Sequence, residues 1–207
     1  MSANLFFSNV SESVRFREAI QRFDALNAAD PNVETVEGVT HPRELLHAQR
    51  LCDWVMKLHP GASEPLRLAA RSQHLCRWQI PRANYDLTRA GYHRWRTASK
   101  QFHAEQSAAV LRAVGYGDEV IARVSDLNLK KHLPADPETQ VLEDALCLVF
   151  LQFQLADLAA RTDEAKVINA LQKSWAKMSP AGHEQALQLD YGPRERALLQ
   201  QALRPAS

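Results

Sequence analysis

The sequence predicts an all-α protein folded as a single helical bundle, and three observations support this class. The 207 residues include only seven glycines. No segment alternates apolar and polar residues over the length of a strand, and the strong helix formers Ala, Leu, Gln, Arg and Glu are abundant. Because no repeat and no Gly-, Ser- or Pro-rich linker divides the chain, we expect one domain over residues 1–207.

The helix boundaries follow from capping residues and prolines. Ser63 and Asp136 are favourable N-cap residues, and Pro42 and Pro137 suit the first turn of a helix. The third helix must end before Pro81. The helices are expected over about residues 11–26, 42–58, 63–78, 88–115, 118–131, 137–160, 163–177, 180–188 and 193–203.

The sixth expected helix is the candidate centre of the bundle. Its segment LEDALCLVFLQFQLADLAA, residues 142–160, is apolar around most of the helix circumference. The shorter helices within about 163–203 are expected to pack outside the core. Residues 32–41, NVETVEGVTH, are expected to form a loop.

Composition indicates a soluble protein of the cytoplasm. Hydrophobic residues make up 45% and charged residues 24% of the chain. The longest apolar run, residues 145–153, is too short to span a bilayer, and residues 1–18 lack a signal-peptide pattern, so no membrane partner is expected. The three cysteines lie in apolar helical contexts, which favours reduced, buried thiols.

Positive charge is concentrated between residues 66 and 101, which contain eight basic residues and one acid, Asp86. A positive field of this density attracts phosphate groups, and the expected partner is a nucleotide, a small phosphoester or an RNA backbone. The basic residues are Arg67, Arg71, Arg77, Arg82, Arg89, Arg94, Arg96 and Lys100.

Four histidines and an aspartate form the candidate site. A single histidine on a half-apolar helix is usually structural. However, His47, His74, His103, His132 and Asp144 each fall on a different expected helix or helix end. A helical bundle builds an inward-facing metal or phosphate site from separated segments in this way.

Four segments resemble the HD-domain superfamily of helical metal-dependent phosphohydrolases, over about residues 42–155. They are LLHAQRL around His47, LAARSQHL around His74, FHAEQSAAVLRAVGYGDEVIARVSDLNLKKH from His103 to His132, and LEDALCLVFL around Asp144. The resemblance implies an HD-like helical core and a divalent metal, one of Mn, Fe, Zn, Ni or Co, held by His47, His74, His103, His132 and Asp144. More narrowly, SQHLCRWQIPR, GYHRWR, FHAEQ, LEDALCLVFLQ and KMSPAGH resemble a conserved domain of unknown function of the DUF4202 type.

The sequence departs from the HD pattern at one position. Where an HD protein has adjacent His and Asp, this chain has Gln73, His74 and Leu75. Either His74 matches the histidine and Leu75 replaces the aspartate, or His74 itself stands at the position of the aspartate after Gln73. In both cases a carboxylate ligand is missing. Its loss favours zinc, iron, nickel or cobalt over a harder ion. Glu105 or Glu143 could replace it, or the site could bind no metal.

The resemblance implies a metal-dependent phosphohydrolase that acts on a nucleotide or small phosphoester. Bound metal would lower the pKa of a water molecule. Arg71 and Arg77 flank His74 at spacings of three and are the candidate catalytic cations, with Glu105 as candidate general base. The candidate phosphate-binding residues are Arg71, Arg77, Arg94, Arg96 and Lys100.

Two alternatives stay open at this stage. The first is a catalytically inactive HD-like protein whose basic face binds RNA, tRNA or a nucleotide signal. The second is an oxygenase-type use of the histidine-rich site with iron. The sequence predicts no oligomeric state.

Overall fold

The computed structural model describes residues 13–204 and confirms the all-α class. A two-stranded antiparallel hairpin, β1 (Val33–Val36) and β2 (Val39–Pro42), is the sheet in this part of the chain. The helices are α1 (Val14–Ala28), α2 (Arg43–Leu58), α3 (Glu64–Ser72), α4 (Arg89–Ala113), α5 (Asp118–Leu129), α6 (Pro137–Val149), α7 (Leu155–Arg161), α8 (Glu164–Trp175), α9 (Pro180–Leu187) and α10 (Pro193–Ala202).

The helix starts use the capping chemistry that the sequence predicts. Ser63 Oγ accepts a hydrogen bond from Leu66 N at 3.2 Å, and Asp136 accepts from Glu138 N and Thr139 N. These bonds satisfy backbone N–H groups that have no partner within the helix. The start of the first expected helix, about residue 11, lies outside the described residues.

The prediction of a loop at residues 32–41 is wrong, because most of this segment forms the hairpin. Glu37 and Gly38 both take positive φ, at 50° and 81°, and make a two-residue turn that matches the twist of the paired strands. Arg50 of α2 bonds Glu34 of β1 at 2.7 Å. The hairpin is therefore attached to α2, the helix that carries part of the candidate site.

The third helix is shorter than expected, because α3 ends at Ser72 and not at Trp78. Cys76 takes the left-handed conformation with φ of 55°, and two short 3-10 turns follow. The amide side chain of buried Asn27 accepts a hydrogen bond from Cys76 N at 3.2 Å. This bond from α1 holds the chain in a turn where helical periodicity alone would continue α3.

The segment expected as one long sixth helix is interrupted. A π-helical stretch, Phe150–Gln154, separates α6 from α7. Positions 142–145 of α6 are all buried, as expected for a helix at the centre of a bundle, and α6 packs against α2 and α9. In the π-helical stretch, Gln152 accepts a hydrogen bond from Trp54 Nε1 at 2.9 Å.

The core is one cluster of buried apolar side chains that extends from Phe16 of α1 to Ala202 of α10. The expectation that the C-terminal helices pack outside the core is wrong: Val167, Leu171 and Leu198 are part of this cluster. No helix within residues 13–204 is both long and apolar enough to cross a membrane.

Candidate functional site

Three of the four predicted histidines meet inside the bundle. The His47 and His74 rings stack with centroids 4.5 Å apart and planes 13° apart. The His103 ring lies 5.7 Å from His74, tilted by 47°. They come from α2, from the turn after α3 and from α4, respectively. We refer to His47, His74 and His103 as the imidazole cluster.

The tautomer of His103 follows from its contact with a backbone carbonyl. His103 is 2% exposed, and its Nδ1 lies 2.8 Å from Leu75 O. Because a carbonyl oxygen only accepts, Nδ1 carries the proton and Nε2 has a free lone pair. The His103 Nε2 atom is buried without a hydrogen-bond partner among the described residues.

His47 also has a buried Nε2 atom for which the described residues supply no hydrogen-bond partner. Its Nδ1 lies 3.5 Å from the side-chain amide of Gln154, the last residue of the π-helical stretch. The wider turn of a π-helix frequently occurs at functional sites. Here it places a polar side chain against the imidazole cluster.

All three imidazoles are neutral at physiological pH. Burial, followed by the nearby His74, lowers the pKa of His47 to about 3. Burial lowers the pKa of His103 to about 4. Burial, followed by Arg77, His103 and Lys130, holds the pKa of His74 well below its ordinary value. Neutral rings can stack at close range without charge repulsion.

Glu44 is a buried carboxylate beside the imidazole cluster that the sequence analysis missed. Its Oε2 lies 3.6 Å from His74 Nδ1, and its Oε1 lies 3.9 Å from Arg77 Nε. Burial raises the pKa of this carboxyl, although His47 and Arg77 oppose the increase. The sequence signal was the spacing of three between Glu44 and His47, which puts both on one face of α2.

Positive charge surrounds the imidazole cluster. Arg77 lies with its guanidinium 5.0 Å from the centre of the Trp95 ring. Arg77, Lys130 and Arg96 are all close enough to lower the pKa of His74. Burial, followed by Lys130 and Arg96, also lowers the pKa of Lys100. Three of the predicted phosphate-binding residues, Arg77, Arg96 and Lys100, therefore lie in this cationic group.

Asp144 is engaged in a structural role at the start of α9. Its carboxylate accepts hydrogen bonds from Ser179 N at 2.8 Å, Ser179 Oγ at 2.6 Å and Gln140 Nε2 at 2.9 Å. Gly182 is required here, because a Cβ at this position would lie 2.8 Å from Asp144 Cγ.

His132 is exposed, with φ of 64°, beyond the end of α5. The structure therefore does not bring the two predicted ligands Asp144 and His132 into the imidazole cluster.

Neither carboxylate suggested as a replacement for the missing aspartate lies free beside the imidazoles. Glu143 is buried and forms ion pairs with Lys130 and Lys177. Burial alone would raise the pKa of Glu143, but these two lysines lower it below its ordinary value. Glu105, also the predicted general base, is exposed and accepts a hydrogen bond from Gln101 at 3.0 Å. Leu75, at one of the two positions that could match the aspartate, is fully buried in the core.

The two remaining predicted arginines are engaged elsewhere. Arg71 forms a bidentate ion pair with Asp24 of α1, in which its Nε lies 2.6 Å from Oδ1 and its terminal nitrogen lies 2.7 Å from Oδ2. Arg94 is exposed and pairs with Asp86.

The donor atoms of the imidazole cluster do not match a metal centre as they stand. Within residues 13–204, no group of three or more His, Cys, Asp or Glu side chains is placed to hold a metal ion. The nearly parallel rings of His47 and His74 stack on one another instead of converging on one point. Near His74 the cations Arg77, Arg96 and Lys130 outnumber the carboxylates of Glu44 and Glu143, so the local charge is unfavourable for a further cation and favourable for an anion.

The family model described as a domain of unknown function, DUF4202, matches residues 17–199 of the chain. No curated protein and no solved structure matches it.

Proposed function

The chain belongs to the DUF4202 family of domains of unknown function, and we propose from the geometry of its site that the imidazole cluster binds a small phosphorylated ligand, a nucleotide or another phosphoester. The resemblance to HD-type phosphohydrolases around His47, His74 and His103 supports the same ligand class. The proposal does not require Asp144 or His132.

The single observation that carries this proposal is the pair of buried Nε2 atoms on His47 and His103. Among the described residues these atoms have no hydrogen-bond partner, although Arg77 lies close enough to both rings to lower their pKa values. A buried polar atom without a partner costs free energy, which a ligand recovers by supplying one. A phosphate supplies such partners in two forms, because its oxygens accept from an Nε2 that carries a proton and a P–OH group donates to the free lone pair of His103 Nε2. Its negative charge is favoured by Arg77, Arg96 and Lys130.

Binding of a phosphate would change the protonation of the cluster. A neighbouring negative charge stabilises an imidazolium, so it raises the pKa of each ring that it contacts. Rings that are neutral in the free protein then take up protons when the anion binds. The logarithm of the affinity for phosphate should consequently rise as pH falls from 8 to 6, with a slope equal to the net number of protons taken up on binding.

Hydrolysis of the phosphoester is a second candidate in those complexes in which His103 has taken up no proton, because its Nε2 then keeps a free lone pair. This atom can accept a proton from the attacking water while a bond forms between the water oxygen and phosphorus. The bond between phosphorus and the leaving oxygen breaks, and that oxygen takes a proton from solvent. The cations around the cluster offset the negative charge that develops on the phosphoryl oxygens. No step of this chemistry passes through a metal ion.

The test is titration calorimetry with inorganic phosphate and with adenosine 5′-monophosphate. The wild type should bind at least one of the two probes, and Arg77→Gln should weaken that binding by roughly tenfold or more. Arg94→Gln, which removes an exposed guanidinium on α4, is the matched control and should bind as the wild type does.

Two results would count against the proposal. The first is the absence of saturable binding of either probe at millimolar concentration, and the second is equal affinity in both arginine variants. Incubating the wild type and His103→Asn with p-nitrophenyl phosphate tests hydrolysis separately. If only polyribonucleotides bind, with an affinity that falls steeply with salt, the site is an RNA-binding surface instead.

A further inference from the structure

Two buried polar side chains of α4, His103 and Ser99, each present an atom without a hydrogen-bond partner. The contact of His103 Nδ1 with Leu75 O, at 2.8 Å, fixes the ring and leaves the lone pair of the buried Nε2 free. Ser99 lies four residues earlier, one helical turn away on the same face of α4. It is 4% exposed, and its Oγ is buried with no partner among residues 13–204.

Contacts on both sides place Ser99 against the turn that follows α3. Trp95, one helical turn before Ser99, donates a hydrogen bond from its Nε1 to Ile80 O at 2.9 Å. His103, one helical turn after Ser99, reaches Leu75 O. Ser99 therefore lies between two side chains that both bond to this turn, which also carries a member of the imidazole cluster.

The free atoms of His103 and Ser99 differ in what they can bond. An imidazole that carries its proton on Nδ1 can only accept at Nε2, whereas a hydroxyl can donate as well as accept. An anion that complements both must offer a proton to His103 and an ionised oxygen to Ser99. Hydrogen phosphate offers both, because it keeps one P–OH group. Sulfate has the same shape but carries no proton, so one of its oxygens would face the His103 lone pair without a hydrogen bond.

We propose, resting on the proposed function above, that Ser99 and His103 select a tetrahedral oxyanion that carries one proton, so that the site prefers phosphate to sulfate. His103 Nε2 accepts from the P–OH group, and Ser99 Oγ donates to an ionised oxygen. A phosphomonoester binds in its singly ionised form. An anion without the proton is disfavoured, because it leaves a buried polar atom without a partner.

The experiment is titration calorimetry with inorganic phosphate and inorganic sulfate at about pH 8, where both anions carry two negative charges. The wild type should bind phosphate roughly tenfold or more tightly than sulfate. His103→Asn should bring the two affinities within roughly threefold of one another, because the asparagine amide can still donate to Leu75 O but offers no Nε2 acceptor. Ser99→Ala should weaken binding of both anions by a similar factor, roughly threefold to tenfold, and keep the preference.

Ser107→Ala is the matched control for Ser99→Ala. Ser107 lies on the same face of α4 and is 1% exposed, but its Oγ already donates to Ser72 Oγ at 3.0 Å. Ser107→Ala should therefore lower the urea midpoint of unfolding and bind both anions as the wild type does. Ser99→Ala should leave the urea midpoint unchanged or raise it, because its hydroxyl has no partner to lose among the described residues.

The proposal is overturned if the wild type binds phosphate and sulfate equally, or if folded His103→Asn keeps the full preference. It is also overturned if folded Ser99→Ala binds phosphate as the wild type does. In each of these cases, weaker phosphate binding by Arg77→Gln would leave the proposed function standing. Absence of saturable phosphate binding by the wild type overturns the proposal as well, and the proposed function then survives only if adenosine 5′-monophosphate binds. Circular dichroism establishes that each variant is folded.

Discussion

The His47 and His74 imidazole rings stack with their centroids 4.5 Å apart and their planes only 13° apart. Two protonated rings at this distance would repel one another in a poorly solvated environment. The stack is therefore stable only while the rings are neutral. Since Arg77 and Lys130 add further positive charge nearby, protonation of either ring is costly unless an anion is bound.

The first prediction concerns stability at acidic pH. In the unfolded chain the histidines titrate near 6.5, whereas the folded pKa is about 3 for His47 and about 4 for His103. Between these values the unfolded chain binds protons that the folded chain excludes, so the free energy of unfolding falls as pH decreases from about 6.5 to about 4. The loss should reach several kcal/mol, because one pKa unit is worth about 1.4 kcal/mol.

Urea denaturation at a series of pH values measures this effect. The raised pKa of Glu44 acts in the opposite direction and offsets part of the loss. His47→Asn should flatten the dependence, and His93→Asn, which replaces an exposed histidine of α4, should leave it unchanged. A dependence that is equally steep in both variants would show that the buried imidazoles are not its source.

The second prediction separates Asp144 from the imidazole cluster. Asp144 is 3% exposed and accepts hydrogen bonds from Ser179 and Gln140. Asp144→Ala leaves these donors without their partner and should lower the free energy of unfolding by about 2 to 4 kcal/mol. Phosphate affinity of the folded variant should be unchanged. Asp157→Ala, at an exposed position, is the control for stability and should change it by at most about 0.5 kcal/mol.

The third prediction concerns the charge of Glu44. Its carboxylate is close to both His74 and Arg77, where it repels a bound phosphate. Glu44→Gln keeps the shape of the side chain and removes that charge, so it should strengthen phosphate binding by roughly threefold to tenfold. Glu119→Gln, at an exposed position on α5, should have no effect. Weaker binding in Glu44→Gln would instead mean that the carboxylate is needed to hold Arg77 in position.

Local chemistry explains which parts of the fold were predictable. Ser63 and Asp136 cap helices where expected, because an N-cap depends on a few adjacent residues. The end of α3 was not predictable in the same way, since it depends on Asn27, which reaches Cys76 from a helix distant in sequence. The hairpin was missed because its strands are only four residues long and neither strand contains a fully buried residue.

The candidate site shows the same division. The placement of His47, His74 and His103 on separate helices and the HD-like pattern predicted that these residues lie close together. In the structure their rings do meet, because each lies at a position that faces the interior of the bundle. Asp144 was predicted as a ligand from the same pattern, but a loop-to-helix start near Ser179 occupies its carboxylate. Such pairings join segments far apart in the chain, and neither spacing nor composition reports them.

The last prediction tests whether phosphate binding needs a metal ion. Three nitrogen donors are close together at the imidazole cluster, but the stacked rings of His47 and His74 do not direct them at one point, and Arg77 and Lys130 oppose an additional cation. Treatment of untagged protein with EDTA, followed by gel filtration, should therefore leave its affinity for inorganic phosphate unchanged. Elemental analysis of the same sample before and after treatment is the control. Two results together would contradict this expectation. The first is near-stoichiometric metal in the wild type that is absent from a folded His47→Ala, Asp144→Asn double variant, and the second is loss of phosphate binding after EDTA treatment. That result would mean that the ligand rearranges the rings and Asp144 into a metal centre of the kind that the sequence pattern implies.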